Sequence, residues 1–194
     1  MILPIVAYGD PVLKQEAEDI EKDYPNLDKL LKDMFETMYN AAGVGLAAPQ
    51  IGKSIRLFIV DAAPFAEDDE EDEYPEAKDF KRVFINPEIV EESGDEWGFE
   101  EGCLSIPNIR EEVYRQSDLY IEYYDEKFEF QKEKLSGITA RIVQHEYDHI
   151  EGILFTDHLN PLKRRLLKRK LVEISKGVTS AKYKMRFPNQ GKKR

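Results

Sequence analysis

The chain has 194 residues, of which 41% are hydrophobic, a composition that suits one folded domain and excludes a disordered or fibrous protein. No stretch of about 18 apolar residues is present, so we expect no transmembrane helix. The apolar segment at residues 1–10 lacks the basic leader of a signal peptide, and the single cysteine, Cys103, leaves no internal disulfide. These features predict a cytoplasmic protein.

The net charge of −11 is unevenly distributed along the chain. Residues 1–158 carry a balance of −23, whereas residues 159–194 carry 13 Lys and Arg against Glu173 alone, a balance of +12. A basic end on an acidic body favours contact with an anionic partner. A solvated helix and tail that keep the protein in solution would produce the same pattern, so both interpretations stay open.

Helical and extended patterns are segregated along the sequence. Apolar residues recur at helical spacing over residues 26–42, with Asn26 as a plausible N-cap. Helices are also predicted over residues 136–151 and, with a strongly basic character, over residues 161–176. β-Branched and aromatic runs predict strands at residues 55–62, 82–90, 113–116, 119–124 and 128–131. This segregation predicts an α+β fold rather than a doubly wound sheet.

Two segments fall outside these elements. The acidic run at residues 67–73 cannot pack its adjacent like charges, which predicts a mostly structureless loop within a surface insertion at about 67–79. The end of the chain contains proline and glycine and is typical of a flexible tail. The sequence thus predicts a single domain over residues 1–176 and a basic flexible tail over residues 177–194.

The second predicted helix contains the sequence His145-Glu146-Tyr147-Asp148-His149. Residues four apart lie on one helix face, so both imidazoles can converge on one metal ion. Glu146 is offset from that pair and can reach a metal-bound water without being a ligand. Two satisfied core histidines near an unrelated glutamate would give the same short pattern, so the motif alone does not decide.

A third ligand distinguishes between kinds of metal site. Extended zinc proteases place a further histidine after this motif, but Phe155 occupies that position and His158 lies three residues too late, so it is assigned no role. Glu173 is a remote carboxylate in the basic helix. Cys103 offers a thiolate, and a set of two histidines and one cysteine leaves a fourth position open for water.

A glycine-rich segment at residues 43–52 reads GVGLAAPQIG. A nucleotide-binding loop is not favoured, because the segment follows a predicted helix and lacks the Gly-Lys-Ser/Thr ending. Its small residues favour a rigid backbone path beside something that must approach closely. Gln50 ends that path with an amide that can donate to an oxyanion.

Three segments now stand together: GVGLAAPQIG at 43–52, EGCLS at 101–105 and QHEYDH at 144–149. In this order and spacing they closely resemble the three signature motifs of peptide deformylase, over roughly residues 1–165. Their joint occurrence is far more specific than the histidine motif alone. Ile150 stands where leucine is usual, and the acidic insertion and basic end lie outside the family pattern. None of these departures touches a proposed ligand.

The resemblance implies antiparallel sheets packed around a central metal-binding helix, with an additional C-terminal helix in this chain. It implies removal of the N-formyl group from the N-terminal methionine of newly synthesised proteins, with release of formate. Family members typically use Fe²⁺, which Zn²⁺ or Ni²⁺ often replaces. By motif position the resemblance implies these roles: Cys103, His145 and His149 as metal ligands, Glu146 as general base and then acid, Gln50 and the Leu104 N–H as oxyanion donors, and Gly45 against the substrate backbone.

The methionine side chain of such a substrate needs an apolar pocket. Candidates are Ile138 and Ile142, on the helix face of the histidines, with Phe99 and Val44, although ordinary core packing explains each of them equally well. Arg110 could tether a peptide or form a surface ion pair with nearby glutamates. The basic end is expected to meet ribosomal RNA near the exit tunnel by electrostatic attraction.

Three other interpretations stay open at this point. The principal alternative is an HExxH-type zinc endopeptidase, against which Phe155 argues. A cysteine hydrolase would use Cys103 as its nucleophile with a nearby histidine. A non-enzymatic protein acting at the ribosome is the third, but it would not need the complete set of catalytic residues that the sequence contains.

Overall fold

The computed structural model describes residues 1–67 and 73–190. The helices in this part of the chain are α1 (Leu27–Asn40), α2 (Ala63–Glu67), α3 (Gly137–Ile150) and α4 (Pro161–Ser175). The strands are β1 (Ile5–Val6), β2 (Gly45–Ala47), β3 (Leu57–Asp61), β4 (Lys81–Cys103), β5 (Ile106–Tyr124), β6 (Phe130–Ser136) and β7 (Met185–Arg186). This combination of helices and mainly antiparallel sheet confirms the predicted α+β class.

The principal sheet is antiparallel and has the order β2-β3-β4-β5-β6. Its longest pairing is the hairpin of β4 and β5, in which Cys103 lies opposite Ile106 at the turn and Ile85 lies opposite Tyr124 at the far end. Register shifts, such as the one between Ser93 and Glu96, interrupt the ladder and bend the hairpin. The hairpin therefore places Cys103 at a defined end of the sheet, beside a tight turn.

Strands β4 and β5 are much longer than the sequence predicted. Exposed glutamates such as Glu91 and Glu92 interrupt the apolar alternation, although the backbone pairing continues through them. The predicted strands at 113–116 and 119–124 are consequently parts of one strand. The helix boundaries, in contrast, agree with the sequence to within two residues, because helical periodicity is a local signal.

Helix α3 packs against β2, β3, β5 and β6. Its residues Ile138, Val143 and Ile150 are fully buried in the largest hydrophobic cluster, which also contains Phe58 and Phe84 from the sheet. Burial on this scale fixes the rotation of the helix about its axis, so the direction of its polar side chains is fixed as well. No helix in the described ranges, 1–67 and 73–190, is long and apolar enough to cross a membrane.

The acidic insertion is described only at its two ends. The loop predicted at residues 67–73 falls mostly on residues 68–72, which lie outside the described ranges. After it, Ala77 is fully buried, and Glu76 accepts a hydrogen bond of 2.8 Å from the Ile138 N–H in the first turn of α3. A carboxylate at this position accepts a hydrogen bond from a helix N–H that has no partner within the helix. Its negative charge also interacts favourably with the helix dipole.

The C-terminal segment lies beside the start of the chain. Strand β7 pairs in parallel with β1, through bonds of 2.9 Å from the Ile5 N–H to the Lys184 carbonyl and from the Ala7 N–H to the Arg186 carbonyl. Phe187 packs onto a hydrophobic cluster that β1 shares with α4. The sequence predicted a flexible tail at residues 177–194, whereas the structure places residues 177–190 against the body of the protein.

Removal of residues 177–194 is expected to lower the free energy of unfolding by about 2 kcal/mol or more, because the β7 pairing and the packing of Phe187 are lost. Removal of residues 191–194 alone retains both and is expected to leave that free energy unchanged. Urea unfolding followed by circular dichroism measures the difference. Equal midpoints for the two truncated proteins would contradict a packed C-terminal segment.

Candidate active site

Cys103, His145 and His149 converge from two elements of the fold. Cys103 ends β4, and the two histidines lie one turn apart on α3, as the spacing predicted. One ligand atom from each residue lies within 4.8 Å of the other two, and Cys103 Sγ is 3.3 Å from His149 Nε2. One thiol and two imidazoles at this spacing are a donor set that suits a divalent transition metal.

The electrostatics of the cluster favour a thiolate. Burial alone would favour the neutral thiol, but the neighbouring His149 and His145 outweigh it and lower the pKa of Cys103 to about 5. The pKa of His145 is raised well above its ordinary value, because its hydrogen bonds to Cys103 and Glu101 outweigh the effect of burial. The thiolate is the form of cysteine that coordinates metal ions.

Glu101 is a buried carboxylate that orients His145. It accepts hydrogen bonds from Arg115 Nε (2.7 Å) and Nη2 (3.0 Å), and from Arg141 Nη1 (2.8 Å). His145 Nδ1 lies 2.9 Å from Glu101 Oε1. These cations and His145 hold the pKa of Glu101 far below its usual range despite burial. Because an ionised carboxylate can only accept, Nδ1 carries a proton, which leaves Nε2 as the ring nitrogen that could bind a metal ion.

The same network extends away from the cluster through Asp148. Arg115 Nη1 donates to Asp148 Oδ2 at 2.8 Å, and His158 Nε2 lies 2.8 Å from the same oxygen. His158 is therefore paired with Asp148, and it does not belong to the Cys103 cluster that the described residues form. The sequence offered no local signal for this network, since its members come from four different elements: β4, β5, α3 and the 3₁₀ turn at Phe155–His158.

Glu146 lies on α3 directly after His145. Its carboxylate is buried, and its Oε2 has no hydrogen-bond partner within the described residues. Burial raises the pKa of Glu146 to about 7, and the neighbouring His145 and His149 offset this only in part. The carboxylate lies against Gly45, where an added Cβ would sit 2.4 Å from Glu146 Oε1. Glycine is thus required at position 45 for the observed placement of Glu146.

Gln50 directs its amide towards the same cluster. Its Oε1 accepts a bond of 2.8 Å from the Ala47 N–H, which orients the side chain. Its Nε2 then lies 3.5 Å from Cys103 Sγ and 3.4 Å from Ser105 Oγ. The short 3₁₀ turn over Ala48–Ile51 keeps Gln50 buried at this position. The amide N–H groups therefore lie beside Cys103, and Gln50 lines the same cavity as Glu146.

A cavity of about 800 Å³ lies above the cluster. Glu146, Gln50 and Leu104 line it, and the apolar part of its wall includes Val44, Phe99 and Ile142. Of the predicted pocket candidates, Ile138 does not line this cavity and is fully buried in the core. The cavity is large enough for a side chain and several peptide units of a substrate.

Several residues around the cavity were not anticipated from the sequence. Arg141 contributes to the wall while bonding to Glu101, and Phe65 comes from α2. Four consecutive residues of the C-terminal segment, 180–183, form another part of the wall. The tyrosine at position 183 was the one sequence feature that indicated packing of this basic segment, because a solvated basic tail rarely needs a buried aromatic ring.

The cluster, the buried Glu146 beside it and the amide of Gln50 together form the arrangement of a metal-dependent hydrolase. The model of the polypeptide deformylase family matches residues 2–165. The peptide deformylase of Christiangramia forsetii is 61% identical over 196 residues, covering 100% of both chains, and that of Flavobacterium johnsoniae is 54% identical over 96% of each. The solved structure of a peptide deformylase from Legionella pneumophila is 39% identical, with a TM-score of 0.76 over 89% of this chain and 95% of that one.

The chain belongs to the peptide deformylase family. Enzymes of this family are metal-dependent hydrolases that remove the N-formyl group from the N-terminal methionine of nascent proteins, and this is the function of the chain. The zinc endopeptidase that the histidine motif left open is not favoured by these comparisons. The family assignment agrees with the resemblance that the three sequence motifs carried.

Arg115→Met is expected to lower the free energy of unfolding by about 3 kcal/mol, because it removes one partner of a buried ion network. Arg169→Met is the matched control, since Arg169 pairs with Glu173 on the exposed face of α4. That control is expected to change stability very little. Chemical denaturation of both variants tests the difference, and equal effects would show that the Glu101 network does not stabilise the fold.

Proposed function

We propose that α3 is the central metal-binding helix of this deformylase, and that Cys103, His145 and His149 hold one divalent ion. Three observations support the ligand set: the mutual distance of the ligand atoms, the lowered pKa of the thiol, and the orientation of His145 by Glu101. Fe²⁺ is proposed as the ion in the cell, on the family resemblance, with Zn²⁺ or Ni²⁺ able to replace it. When bound, the ion supplies Lewis acidity at the fourth position.

Glu146 is proposed to carry the protons of the reaction. Its unpartnered Oε2 is available to take a proton from the attacking water as the formyl carbon becomes tetrahedral. The same oxygen then gives the proton to the departing amine nitrogen of methionine, which leaves formate. Gly45 supports this role, because the absence of a side chain lets the carboxylate lie against the β2 backbone.

The negative charge that develops on the formyl oxygen needs donors that are already in place. We assign the role of hydrogen-bond donor to the formyl oxygen to the Gln50 amide, which the Ala47 N–H orients, and to the backbone N–H of Leu104. In other enzymes, loss of one such donor costs about 3–4 kcal/mol of transition-state stabilisation. The methionine side chain is placed against the apolar wall of Val44, Phe99 and Ile142. Residues 1–176 are proposed to form the single catalytic domain, and residues 177–190 pack against it and contribute to the wall of its cavity.

Release of formate from formyl-Met-Ala-Ser tests the deformylase reaction directly. We expect rapid release from this peptide and no cleavage of an unformylated peptide with internal bonds, because the buried cluster fits a small terminal formyl group. Treatment with a metal chelator is expected to abolish the activity, and added Fe²⁺ to restore it. Activity that survived complete removal of metal would favour Cys103 as a nucleophile and would overturn the proposed ligand set.

Glu146→Ala is expected to bind metal as the wild type does and to lose turnover by about 10²–10⁴-fold, since it removes a general acid–base but no ligand. Metal content is measured by mass spectrometry and turnover by formate release on the same preparation. Lost metal in this variant would make Glu146 a ligand. Retained metal with normal turnover would remove Glu146 from the proposed mechanism.

We further propose that α4 contacts ribosomal RNA near the exit tunnel, in the cytoplasm, where formylated nascent chains emerge. The helix exposes several cations together with Leu162 (68% exposed) and Leu166 (72% exposed). A basic, partly apolar helix face on an acidic protein is suited to a polyanionic surface. Because residues 177–190 pack against the body, substitutions on α4 test this contact better than truncation does.

Reversal of three charges on α4, in the variant Arg164→Glu, Arg165→Glu, Lys168→Glu, is expected to abolish co-sedimentation with ribosomes at low salt. Formate release from a free peptide is expected to stay unchanged. The control changes the net charge equally at exposed lysines away from α4: Lys22→Glu, Lys53→Glu and Lys127→Glu. Equal co-sedimentation of the two variants would contradict a specific role of α4.

A further inference from the structure

The C-terminal segment at residues 178–187, called the strap below, is held to the body at both ends. Near its start, Asn108 Nδ2 donates to Ser180 Oγ at 2.8 Å. Near its end, β7 pairs with β1, and Arg186 Nη2 lies 3.2 Å from Asp10 Oδ2. The middle of the strap is therefore held at the wall of the cavity.

The middle of the strap forms part of the cavity wall. Ser180, Ala181, Lys182 and Tyr183 line the same cavity as Glu146. The family model ends at residue 165, so this wall lies beyond the region that the model matches. The three sequence motifs thus do not define the whole of the site in this chain.

Tyr183 connects the strap to the turn between β4 and β5. Its hydroxyl donates a hydrogen bond of 2.7 Å to the carbonyl oxygen of Leu104, the residue directly after Cys103. Both side chains also pack on the hydrophobic cluster that includes Met38. Burial raises the pKa of the Tyr183 hydroxyl, so the hydroxyl remains a donor throughout the ordinary pH range.

Leu104 is fixed from the other side as well. Its Cδ1 would lie 2.8 Å from a Cβ added at Gly43, so the side chain occupies the space that glycine leaves. With its side chain packed and its carbonyl bonded to Tyr183, the residue has little freedom to rotate about its backbone dihedrals. The direction of its N–H is set by the same dihedrals.

We propose that Tyr183 is a positioning residue for deformylation, which holds Leu104 in the orientation that its N–H needs to meet the formyl oxygen. This inference rests on the oxyanion role proposed for Leu104. Tyr183 does not touch the reacting atoms; it acts through the Leu104 carbonyl. Its contribution is therefore greatest when charge develops on the formyl oxygen and smallest for binding of the ground state.

Tyr183→Phe removes the hydroxyl and keeps the ring. We expect kcat for formyl-Met-Ala-Ser to fall about tenfold, the effect of one hydrogen bond on an activation barrier, with KM changed less than about twofold. Tyr123→Phe is the matched control, because the Tyr123 hydroxyl is also partly buried and donates to Glu133 at 2.9 Å, away from the cavity. Its kcat is expected to equal that of the wild type.

The kcat values are expressed per metal-loaded chain and per folded chain. A fall in kcat that is due to lost metal or to unfolding is then distinguished from one that is due to a misplaced Leu104 N–H. The ¹⁵N chemical shift of the Ser105 amide gives a second readout, since this nitrogen shares a peptide unit with the Leu104 carbonyl. We expect that signal to move in Tyr183→Phe and not in Tyr123→Phe. An unchanged kcat in Tyr183→Phe, an effect confined to KM, or an equal fall in both variants would overturn the proposal. The deformylase function would fail separately, through absent formate release by the wild type.

Discussion

The buried carboxylate of Glu101 joins the two elements that carry Cys103 and the two histidines of the candidate metal site. It lies two residues before Cys103 on β4 and is bonded to His145 and Arg141 on α3, and to Arg115 on β5. Burial of a carboxylate that is only 5% exposed would cost free energy of folding without such partners. The strand and the helix are therefore most stable in the relative position that supplies these partners. That relative position brings Cys103 to the histidines. The stability of the core and the geometry of the site thus depend on the same interaction.

The second constraint on the site is close packing at two glycines, whose lack of a side chain leaves room for neighbouring groups. Gly45 leaves room for the Glu146 carboxylate, and Gly43 leaves room for Leu104. Strand β2 can therefore lie directly beside α3 and beside the turn that follows β4. The β2 backbone at Gly45 packs directly against the Glu146 carboxylate, and Glu146 also lines the cavity. Burial of this kind also raises the pKa of Glu146 to about 7.

The sequence predicted those parts of the site that depend on local geometry. The helical spacing of His145 and His149 places them on one face whatever surrounds the helix, and short motifs identify Cys103 and Gln50. The Glu101 network could not be predicted, because Arg115 and Arg141 pair with it only after the hairpin meets the helix. Ile138 illustrates the same limit: its spacing suits the histidine face, but the packing of α3 on the sheet buries it.

Long-range pairing explains the largest difference between sequence and structure. The strap pairs with β1, from which it is separated by almost the whole length of the sequence. Nothing in its local composition indicates a partner so distant in sequence. The extended length of β4 and β5 was hidden for a related reason. Exposed glutamates conceal the strand pattern, while cross-strand backbone bonds maintain the hairpin. From composition alone, the strap and the glutamate-rich parts of the hairpin would be predicted to be solvated. Only the tertiary structure shows what these segments contact.

The most direct measurement for the central claim is X-ray absorption spectroscopy on protein purified without oxygen, combined with metal analysis. The account expects about one divalent metal per chain, with a single sulfur neighbour at about 2.3 Å and nitrogen neighbours from two imidazoles. Cys103→Ala should lose the sulfur signal and most of the bound metal. A fully active protein whose metal has no sulfur neighbour would contradict the assignment of Cys103, His145 and His149 as the ligand set.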